Sequence, residues 1–341
     1  MDRVAAVLCC PDKFRGTLTA AEAASALADG AGDAGFERTI ELPLADGGEG
    51  TLDALLAARG GERREDWVTG PDGTPVRATW GLLPGGLAVV EMARASGLAL
   101  IAVGANDAVA ATTRGTGELI ARASEAGATS VLLGVGGSAT TDGGLGAIEA
   151  LGWELPLPVT VACDVDTPFI DAARVFAPQK GAAPDEVELL RHRLLALAAS
   201  LRRRTGIDVT AVPGAGAAGG LAGGLAALGA TLRPGFDVVA EAASLERLLD
   251  GVSFVLTGEG RLDATSLSGK VVGGVLRAAG ARALPVGVIA GAVSEDVVPL
   301  LPAGVGVASL VEVGGSVEAA LADAGSLARR AAALLARVRV G

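Results

Sequence analysis

The sequence predicts an α/β protein in which one domain is inserted into another. Apolar strand patterns and Ala-rich helical patterns alternate along most of the 341 residues, as is typical of layered α/β folds. Two strand–loop–helix units open the chain and three strands follow after residue 252. These five strands are expected to form one open parallel sheet. We therefore assign residues 1–64 and 248–341 to one discontinuous domain and residues 65–247 to the insertion.

The insertion begins with a pattern unlike that of the flanking segments. The turn signals GPDG (70–73) and PGG (84–86) separate apolar segments that predict an antiparallel meander of strands at 67–69, 76–83 and 88–92. Elsewhere the periodicity predicts strands at 4–10, 39–42, 159–163, 209–212, 253–256, 285–290 and 305–310. The main predicted helices cover 19–29, 52–59, 108–126, 186–204 and 316–337.

Composition argues against several functional classes. The net charge of −11 argues against a nucleic-acid surface, and the aromatic content of 3%, with no tyrosine, argues against base stacking. No apolar run is long enough to span a membrane, and residues 1–3 do not resemble a signal peptide. The three cysteines fit buried positions in a reducing compartment. We expect a cytoplasmic protein, a monomer or homodimer that acts on small molecules.

Histidine chemistry has little support in this sequence. His192 is the only histidine, and the charged side of its predicted helix makes it a solvated surface residue. A Ser-His-Asp or Cys-His mechanism is therefore disfavoured. Any acid–base chemistry must fall to aspartate, glutamate or lysine.

The most informative stretch is LLGVGGSATTDGGLG (132–146), a buried strand followed by a glycine-rich loop and a helix start. Glycines let the backbone approach a ligand, and the backbone N–H groups of a helix start favour negative charge. The stretch therefore predicts an anion-binding loop. Helix capping by Thr140, Thr141 or Asp142 is the simpler alternative, and Asp142 is expected to be a cap or a supporting residue and not the base.

Other strand ends carry loops with carboxylates, cations and glycines. Carboxylates in such loops can cap a helix, or they can hold Mg²⁺ or a substrate hydroxyl. A lysine beside a glycine can contact phosphate, although a lone loop lysine is usually just solvated. These loops are PDKFRGT (11–17), ADGGEGT (45–51), ACDVD (162–166), PQKGA (178–182) and TGEGRLD (257–263).

The sequence does not support either of two common nucleotide-binding motifs. GAGAAGG (214–220) fits the dinucleotide pattern, and Asp237 follows at a suitable distance. However, Asp237 comes after a turn and before a helix, and not at the end of a second strand. The Walker pattern is absent because Gly269-Lys270 is followed by valine.

Taken together, the five loops with GVGGSATTDGGLG (134–146) and GAGAAGG resemble the bacterial type I glycerate kinase family, in the family's order and along nearly the whole chain. The resemblance implies ATP-dependent, Mg²⁺-assisted phosphorylation of D-glycerate, most often to 2-phosphoglycerate. It also implies a flavodoxin-like domain that carries an inserted domain, with the active site in the cleft between them. Lys13, Arg15, Thr17, Thr167 and Thr265 depart from the family's usual pattern.

The candidate residues follow from the loops and the resemblance together. Asp46 or Asp164 is expected to contact the glycerate hydroxyl, and Lys180 is a third candidate catalytic residue. The Mg²⁺ candidates are Glu49, Asp166 and Glu259. The residues expected to bind substrate or phosphate are Lys13, Arg15, Gly47, Gly48, Gly136, Gly137, Ser138, Thr140, Arg261 and Lys270. Phosphorylation at the 3-hydroxyl, a related hydroxy acid as acceptor, and a non-catalytic metabolite- or nucleotide-binding role are the alternatives.

Overall fold

The computed structural model describes residues 6–340, which fall into two compact units. The first unit contains the described residues up to Asp46, the segment Asp53–Arg59 and the described residues from Phe236 onward. The second contains Gly47–Leu52 and Gly60–Gly235. The ADGGEGT loop therefore changes unit after Asp46, and the second unit ends at residue 235.

The strands and helices follow one another through both units. In chain order the strands are β1 (Ala6–Cys9), β2 (Arg38–Glu41), β3 (Glu62–Thr69), β4 (Pro75–Leu82), β5 (Leu87–Glu91), β6 (Ser130–Gly134), β7 (Val159–Ala162), β8 (Thr231–Arg233), β9 (Phe254–Leu262), β10 (Val286–Val293) and β11 (Gly306–Ser309). The α-helices are α1 (Ala20–Asp33), α2 (Thr51–Arg59), α3 (Ala93–Ser96), α4 (Arg114–Glu125), α5 (Leu145–Ala150), α6 (Ala172–Phe176), α7 (Pro184–Thr205), α8 (Leu221–Ala227), α9 (Gly235–Ala242), α10 (Leu245–Leu249), α11 (Val271–Gly280), α12 (Leu310–Gly314), α13 (Val317–Ala322) and α14 (Ala324–Val340).

The first unit contains a five-stranded sheet in the order β11-β10-β9-β1-β2. All four strand pairs are parallel, which confirms the predicted open parallel sheet. Numbered within the unit, the order is 2-1-3-4-5, the flavodoxin-like arrangement. The strand order reverses between β1 and β9, and the loops that follow these strands lie where such sheets bind their ligands.

The second unit contains a six-stranded mixed sheet in the order β3-β4-β5-β6-β7-β8. The first three strands form the predicted antiparallel meander, and the remaining pairs are parallel. Trp80 of β4 is fully buried in this unit, and its indole Nε1 donates to Asp66 Oδ2 at 2.7 Å. That bond satisfies the one polar group of an otherwise apolar side chain.

Three predicted elements differ from the structure. The helix predicted over 108–126 begins only at Arg114, because Asp107 accepts from the amides of Val109 and Ala110 and closes a separate turn. The segment predicted as a strand at 209–212 is a short 3₁₀ turn, Val209–Ala211, capped by the side chain of Asp208. The predicted C-terminal helix is divided into α13 and α14 at Asp323. Val4 and Ala5 of the first predicted strand lie outside the described residues.

Helices α1 and α14 pack so closely that Gly30 has no room for a side chain. A Cβ at Gly30 would collide with the carbonyl oxygen of Arg329 and would lie 2.8 Å from the Cβ of Ala332. Gly32 of the same helix is exposed, and a Cβ at that position would have nothing within 4 Å. Substitution of Gly30 therefore tests the packing of the two helices, whereas substitution of Gly32 tests helix propensity alone.

We expect Gly30→Ala to lower the free energy of unfolding by about 1–3 kcal/mol, because α14 must move away from α1. Gly32→Ala should leave stability unchanged or raise it by up to about 1 kcal/mol, because alanine is the better helix former. Urea unfolding of both variants beside the parent measures the difference. Equal effects of the two substitutions would contradict the close packing.

Candidate active site

In the first unit, the loop that follows β1 lies against β9. The amide of Cys10 donates to Leu256 O and the amide of Asp12 to Gly258 O, both at 2.8 Å, so the pairing continues beyond the end of β1. β9 runs on to Leu262, so most of the TGEGRLD stretch predicted as a loop belongs to this strand. A Cβ at Gly260 would lie 3.0 Å from the amide nitrogen of Arg15. The PDKFRGT loop and the TGEGRLD end of β9 are therefore in backbone contact at the point where the strand order reverses.

Three carboxylates of this unit interact with one another. Burial raises the pKa of Asp12 to about 7, and the negative charges of Asp46 and Glu259 contribute. Burial also raises the pKa of Glu259 to about 7, again with a contribution from Asp46. Leu44, two residues before Asp46, donates its amide to Pro11 O at 3.0 Å and so holds this loop beside the first. We call Asp12, Asp46 and Glu259 the acidic cluster.

Two of the cations predicted for the site, Lys13 and Lys270, lie within electrostatic reach of the acidic cluster. The charge of Lys13 opposes the rise in the pKa of Asp12, and the charge of Lys270 opposes the rise in the pKa of Glu259. Lys270 Nζ lies 3.3 Å from Thr265 Oγ1. Arg15 is exposed, and the guanidinium of Arg261 is 4.0 Å from the carboxylate of Asp263. This unit thus combines partly buried carboxylates with solvent-accessible cations of the kind that contact phosphate.

In the second unit, the glycines of the ADGGEGT loop pack directly on two strand ends. Gly47 has a φ of +85°, and a Cβ there would lie 2.6 Å from the Cβ of Ala162. A Cβ at Gly134 would lie 2.5 Å from Gly47 O, and a Cβ at Gly136 would lie 3.3 Å from the Cα of Gly48. The two glycine-rich loops therefore meet backbone to backbone.

Glu91, at the end of β5, was not identified from the sequence. Its side chain is only 2% exposed. Oε1 accepts from the amides of Gly50 and Leu52 at 2.9 and 3.0 Å, and so satisfies donors at the start of α2. Oε2 accepts from Arg94 Nε at 3.0 Å. Glu91 closes an apolar strand, LAVVE, whose pattern indicates burial and gives no sign of these partners.

The loop after β6 is organised by Asp142. This carboxylate accepts from the amide and the hydroxyl of Thr113 at 2.9 and 2.8 Å and from the amides of Gly144 and Gly146 at 3.0 and 3.2 Å. These four bonds fit the interpretation of Asp142 as a cap. Ser138 forms an isolated bridge with Gly97, and Gly137 O accepts from the amide of Leu98 at 2.9 Å.

Lys180 is almost completely buried, with 3% of its surface exposed. Its Nζ donates to Thr140 O at 2.6 Å and lies 5.9 Å from the centre of the Phe176 ring. Burial lowers the pKa of Lys180 to about 7, against a smaller opposing effect of Asp142. Asn106 adds a second connection, because its Nδ2 donates to both Ala139 O and Lys180 O. The PQKGA loop is thereby fixed to the loop after β6.

A cavity of about 910 Å³ lies in the second unit. It brings together three predicted site residues from three loops: Glu49, Gly137 and Lys180. Its other lining residues are Arg77, Thr79, Ala93, Arg94, Leu98, Ala99, Leu100, Ile101, Ala102, Val103, Gly104, Asn106, Pro178, Gln179 and Gly181. The segment 98–104 and Arg94 were not identified from the sequence, because an apolar stretch with one arginine has no motif.

The remaining predicted residues are distributed elsewhere. Asp164 and Asp166 are exposed and do not line the cavity, and Asp164 Oδ1 accepts from the amide of Gly235 at 2.6 Å. Thr140 is buried. In the described part of the chain, no three His, Cys, Asp or Glu side chains are grouped as metal ligands. His192 is exposed on α7, as predicted.

The GAGAAGG loop has a packing role in the second unit. Gly219 and Gly220 have φ values of +66° and +94°, and Gly219 O accepts from the amide of Gly143 at 3.0 Å. A Cβ at Gly219 would lie 2.7 Å from the Cα of Thr141. The loop follows a 3₁₀ turn and not a strand, so the structural context of a dinucleotide fingerprint is absent here.

Comparison with known proteins assigns the chain to a family. The sequence model of the glycerate kinase family matches residues 7–157 and 156–339. The chain belongs to the glycerate kinase family. This membership confirms the resemblance found in the loops and makes the protein an enzyme of the kinase class. It also identifies GAGAAGG as part of a glycerate kinase family sequence.

Individual members of the glycerate kinase family are similar to this protein in sequence or structure over most of the chain. Glycerate 2-kinase of Escherichia coli K12 is 39% identical over 333 residues, covering 85% of this chain and 86% of the relative. Glycerate kinase of Bacillus subtilis 168 is 40% identical over 332 residues, with 85% and 86% covered. A crystal structure from Salmonella typhimurium LT2, assigned to glycerate kinase 2, superposes with a TM-score of 0.85 at 33% identity and covers 99% of this chain and 98% of that one. Within residues 6–340, no helix has the length and apolar character that a membrane crossing requires.

The low pKa of Lys180 gives a prediction for stability. In the unfolded chain a lysine holds its proton up to a pKa of about 10.4, whereas the folded chain releases it above about 7. The unfolded state therefore binds more protons in this interval, and stability rises with pH. Between about pH 7 and pH 9, the free energy of unfolding of the parent should rise by up to about 1.4 kcal/mol per pH unit relative to that of Lys180→Met. Urea unfolding of both proteins across this pH range measures the difference. The same pH dependence of stability in both proteins would contradict the burial of Lys180.

Proposed function

We propose that this enzyme transfers the γ-phosphoryl group of ATP to the 2-hydroxyl of D-glycerate. The observation that carries the proposal is the family match, which spans residues 7–339 and therefore includes every loop with a candidate carboxylate, cation or glycine cluster. The Escherichia coli relative is named for phosphorylation at that position. The acidic cluster, with Lys13 and Lys270, supplies carboxylates and cations of the kind that phosphoryl transfer requires.

Asp46 is our candidate for the group that accepts the proton of the glycerate hydroxyl. The charge of Asp46 contributes to the raised pKa values of Asp12 and Glu259, both about 7, so Asp46 lies within electrostatic reach of both carboxylates. Asp164, the alternative, is exposed and bonded to the amide of Gly235. Asp46 is less exposed than Asp164, so water competes less with substrate at Asp46, and this makes it the better candidate for the base.

The acidic cluster also fits Mg²⁺. Glu259 Oε1 is buried and has no hydrogen-bond partner within the described residues, and raised carboxylate pKa values favour a nearby cation. Mg²⁺ usually takes one or two carboxylates and completes its shell with phosphate oxygens and water, so a set of three protein ligands is not needed. We assign Glu259, with Asp12 or Asp46, to hold the ion, in preference to Glu49 and Asp166. Bound Mg²⁺ would neutralise charge on the transferred phosphoryl group.

Some of the remaining candidate residues are assigned to binding substrate or phosphate, and others to positioning the loops of the site. Lys13, Arg15, Arg261 and Lys270 are assigned to phosphate oxygens or the glycerate carboxylate. Gly136, Gly137 and Ser138 offer backbone and hydroxyl groups at the end of β6. Lys180 donates to a backbone oxygen, so we assign it to positioning the loop after β6 and not to contact with the reacting atoms. Gly47 and Gly48 shape the same region by close packing.

The product distinguishes phosphorylation at the two hydroxyls. Incubation with ATP, Mg²⁺ and D-glycerate should release ADP, and phosphorus NMR of the product should show a doublet, because a 2-phosphate couples to one methine proton. A triplet from two methylene protons would show 3-phosphorylation and overturn the assignment of the position. ADP release that does not depend on glycerate would overturn the proposed acceptor.

Removal of the proposed base gives a second prediction. Asp46→Asn keeps the size of the side chain and removes its basicity, so kcat should fall by about 10²–10⁴ with little change in the unfolding midpoint. Asp296→Asn, which alters an exposed carboxylate of the same unit, is the matched control and should keep full activity. Steady-state assay of ADP release measures both, and an Asp46→Asn enzyme with parental kcat excludes this role.

A further inference from the structure

The wall of the cavity in the second unit has an apolar part and a charged part. One part is the segment 98–103, which presents apolar side chains such as Leu98, Leu100 and Ile101. Leu100 is 41% exposed and Val103 is completely exposed. The other part carries the guanidinium groups of Arg77 and Arg94. A ligand that matches both parts has an apolar, flat region joined to a negatively charged one.

The lining carries guanidinium groups although the whole chain is acidic. The chain carries a net charge of −11, and the lining includes Arg77 and Arg94 beside the carboxylate of Glu49. The two arginines form ion pairs with Glu65 and Glu91, so their side chains are held in place. Guanidinium groups in such fixed positions suit phosphate oxygens.

Glu91 orients the arginine that lies deeper in the unit. Its carboxylate is fixed on one side by the amides of Gly50 and Leu52 and on the other by Arg94 Nε. Because Glu91 is only 2% exposed, this ion pair is little weakened by solvent. Arg94 is therefore preorganised at the cavity wall, which reduces the entropy lost when a phosphate group binds.

Asn106 supplies a directional acceptor. Its Nδ2 donates to two carbonyl oxygens, Ala139 O and Lys180 O, and this fixes the orientation of the amide, since carbonyl oxygens only accept. The other amide atom, Oδ1, is buried without a hydrogen-bond partner in the described residues. Asn106 lines the cavity, so an amino group on a flat ligand could donate to this oxygen.

We infer that this cavity binds the nucleotide, with the purine base against the segment 98–103 and the phosphates at Arg94. The assignment rests on the proposed function, which requires a phosphoryl donor. A volume of about 910 Å³ suits a nucleotide, since ligand pockets typically span about 300–1,000 Å³. Glycerate, a small and wholly polar acid, has no apolar surface to cover Leu98 and Ile101.

The test measures ADP and adenosine binding by calorimetry, without glycerate, on two pairs of variants. Arg94→Gln removes a phosphate contact, and its control Arg122→Gln alters another arginine with an i,i+3 glutamate partner, outside the cavity. Ala102→Trp fills the opening, and its control Ala105→Trp alters an exposed alanine of the same loop that does not line it. Unfolding midpoints are measured for all four.

We expect Arg94→Gln to raise the Kd for ADP about tenfold to a hundredfold, as for the loss of a charged hydrogen bond, and to leave adenosine binding unchanged. Ala102→Trp should weaken ADP and adenosine alike, at least about tenfold. Both controls should bind as the parent does. Because Ala102 is exposed, its variant tests the inference even where Arg94→Gln disturbs the buried Glu91.

The inference and the proposed function can fail separately. If ADP binds the parent and the binding is weakened as described but glycerate is not phosphorylated, the cavity assignment stands and the proposed function falls. Arg94→Gln and Ala102→Trp could instead bind ADP as the parent does and show a raised KM for D-glycerate. That result would show that the cavity binds glycerate, and it would overturn the inference without contradicting the kinase activity. Failure of the parent to bind ADP overturns the inference as well.

Discussion

The close approach of backbone segments is the constraint on which the candidate site of the second unit depends. A Cβ at Gly47 would lie 2.6 Å from the Cβ of Ala162, and a Cβ at Gly134 would lie 2.5 Å from Gly47 O. A Cβ at Gly219 would likewise lie 2.7 Å from the Cα of Thr141. Side chains in these positions would separate the loops, and with them the backbone N–H groups at the strand ends. At these positions glycine is thus a requirement of packing, and the placement of the backbone N–H groups depends on it.

Buried charge is the second organising feature. The chain has three lysines. Lys13 and Lys180 lie in candidate loops, and Lys270 immediately precedes α11. A lysine is a compact charge that shifts its pKa readily on burial. Burial lowers the pKa of Lys180, and its Nζ donates to Thr140 O, so Lys180 connects its own loop to the loop after β6. Lys13 and Lys270 instead moderate the pKa values of the acidic cluster.

The sequence predicted the fold well where periodicity is strong and local. The parallel sheet of the first unit and the meander of β3, β4 and β5 follow from apolar runs and turn residues, which depend on neighbours in sequence. The errors arose where a single polar side chain overrode the local pattern. Asp107 delays the start of α4, and Asp208 converts a predicted strand into a 3₁₀ turn. Such side-chain bonds compete with regular structure and leave no periodic signal.

The candidate site could be predicted only in part, for a related reason. Loops rich in glycine and carboxylate stand out in a sequence because their composition is unusual. Glu91 and Arg94 do not, since a glutamate that ends an apolar strand and an arginine in a short helix are ordinary residues until their partners are known. Their role comes from contacts with Gly50 and Leu52, about forty positions away, which neither periodicity nor spacing reveals.

Unpartnered buried polar atoms mark the same regions independently of any resemblance. Among the described residues, the buried side-chain atoms without a hydrogen-bond partner are Asn106 Oδ1, Thr140 Oγ1, Thr141 Oγ1 and Glu259 Oε1. Each such atom costs about 1–3 kcal/mol, and folded proteins keep few of them. Thr140 and Thr141 lie in the loop after β6, Asn106 lines the cavity, and Glu259 lies within β9 in the acidic cluster. All four therefore belong to the candidate site regions, where a bound substrate or cation can satisfy polar groups that folding leaves without a partner.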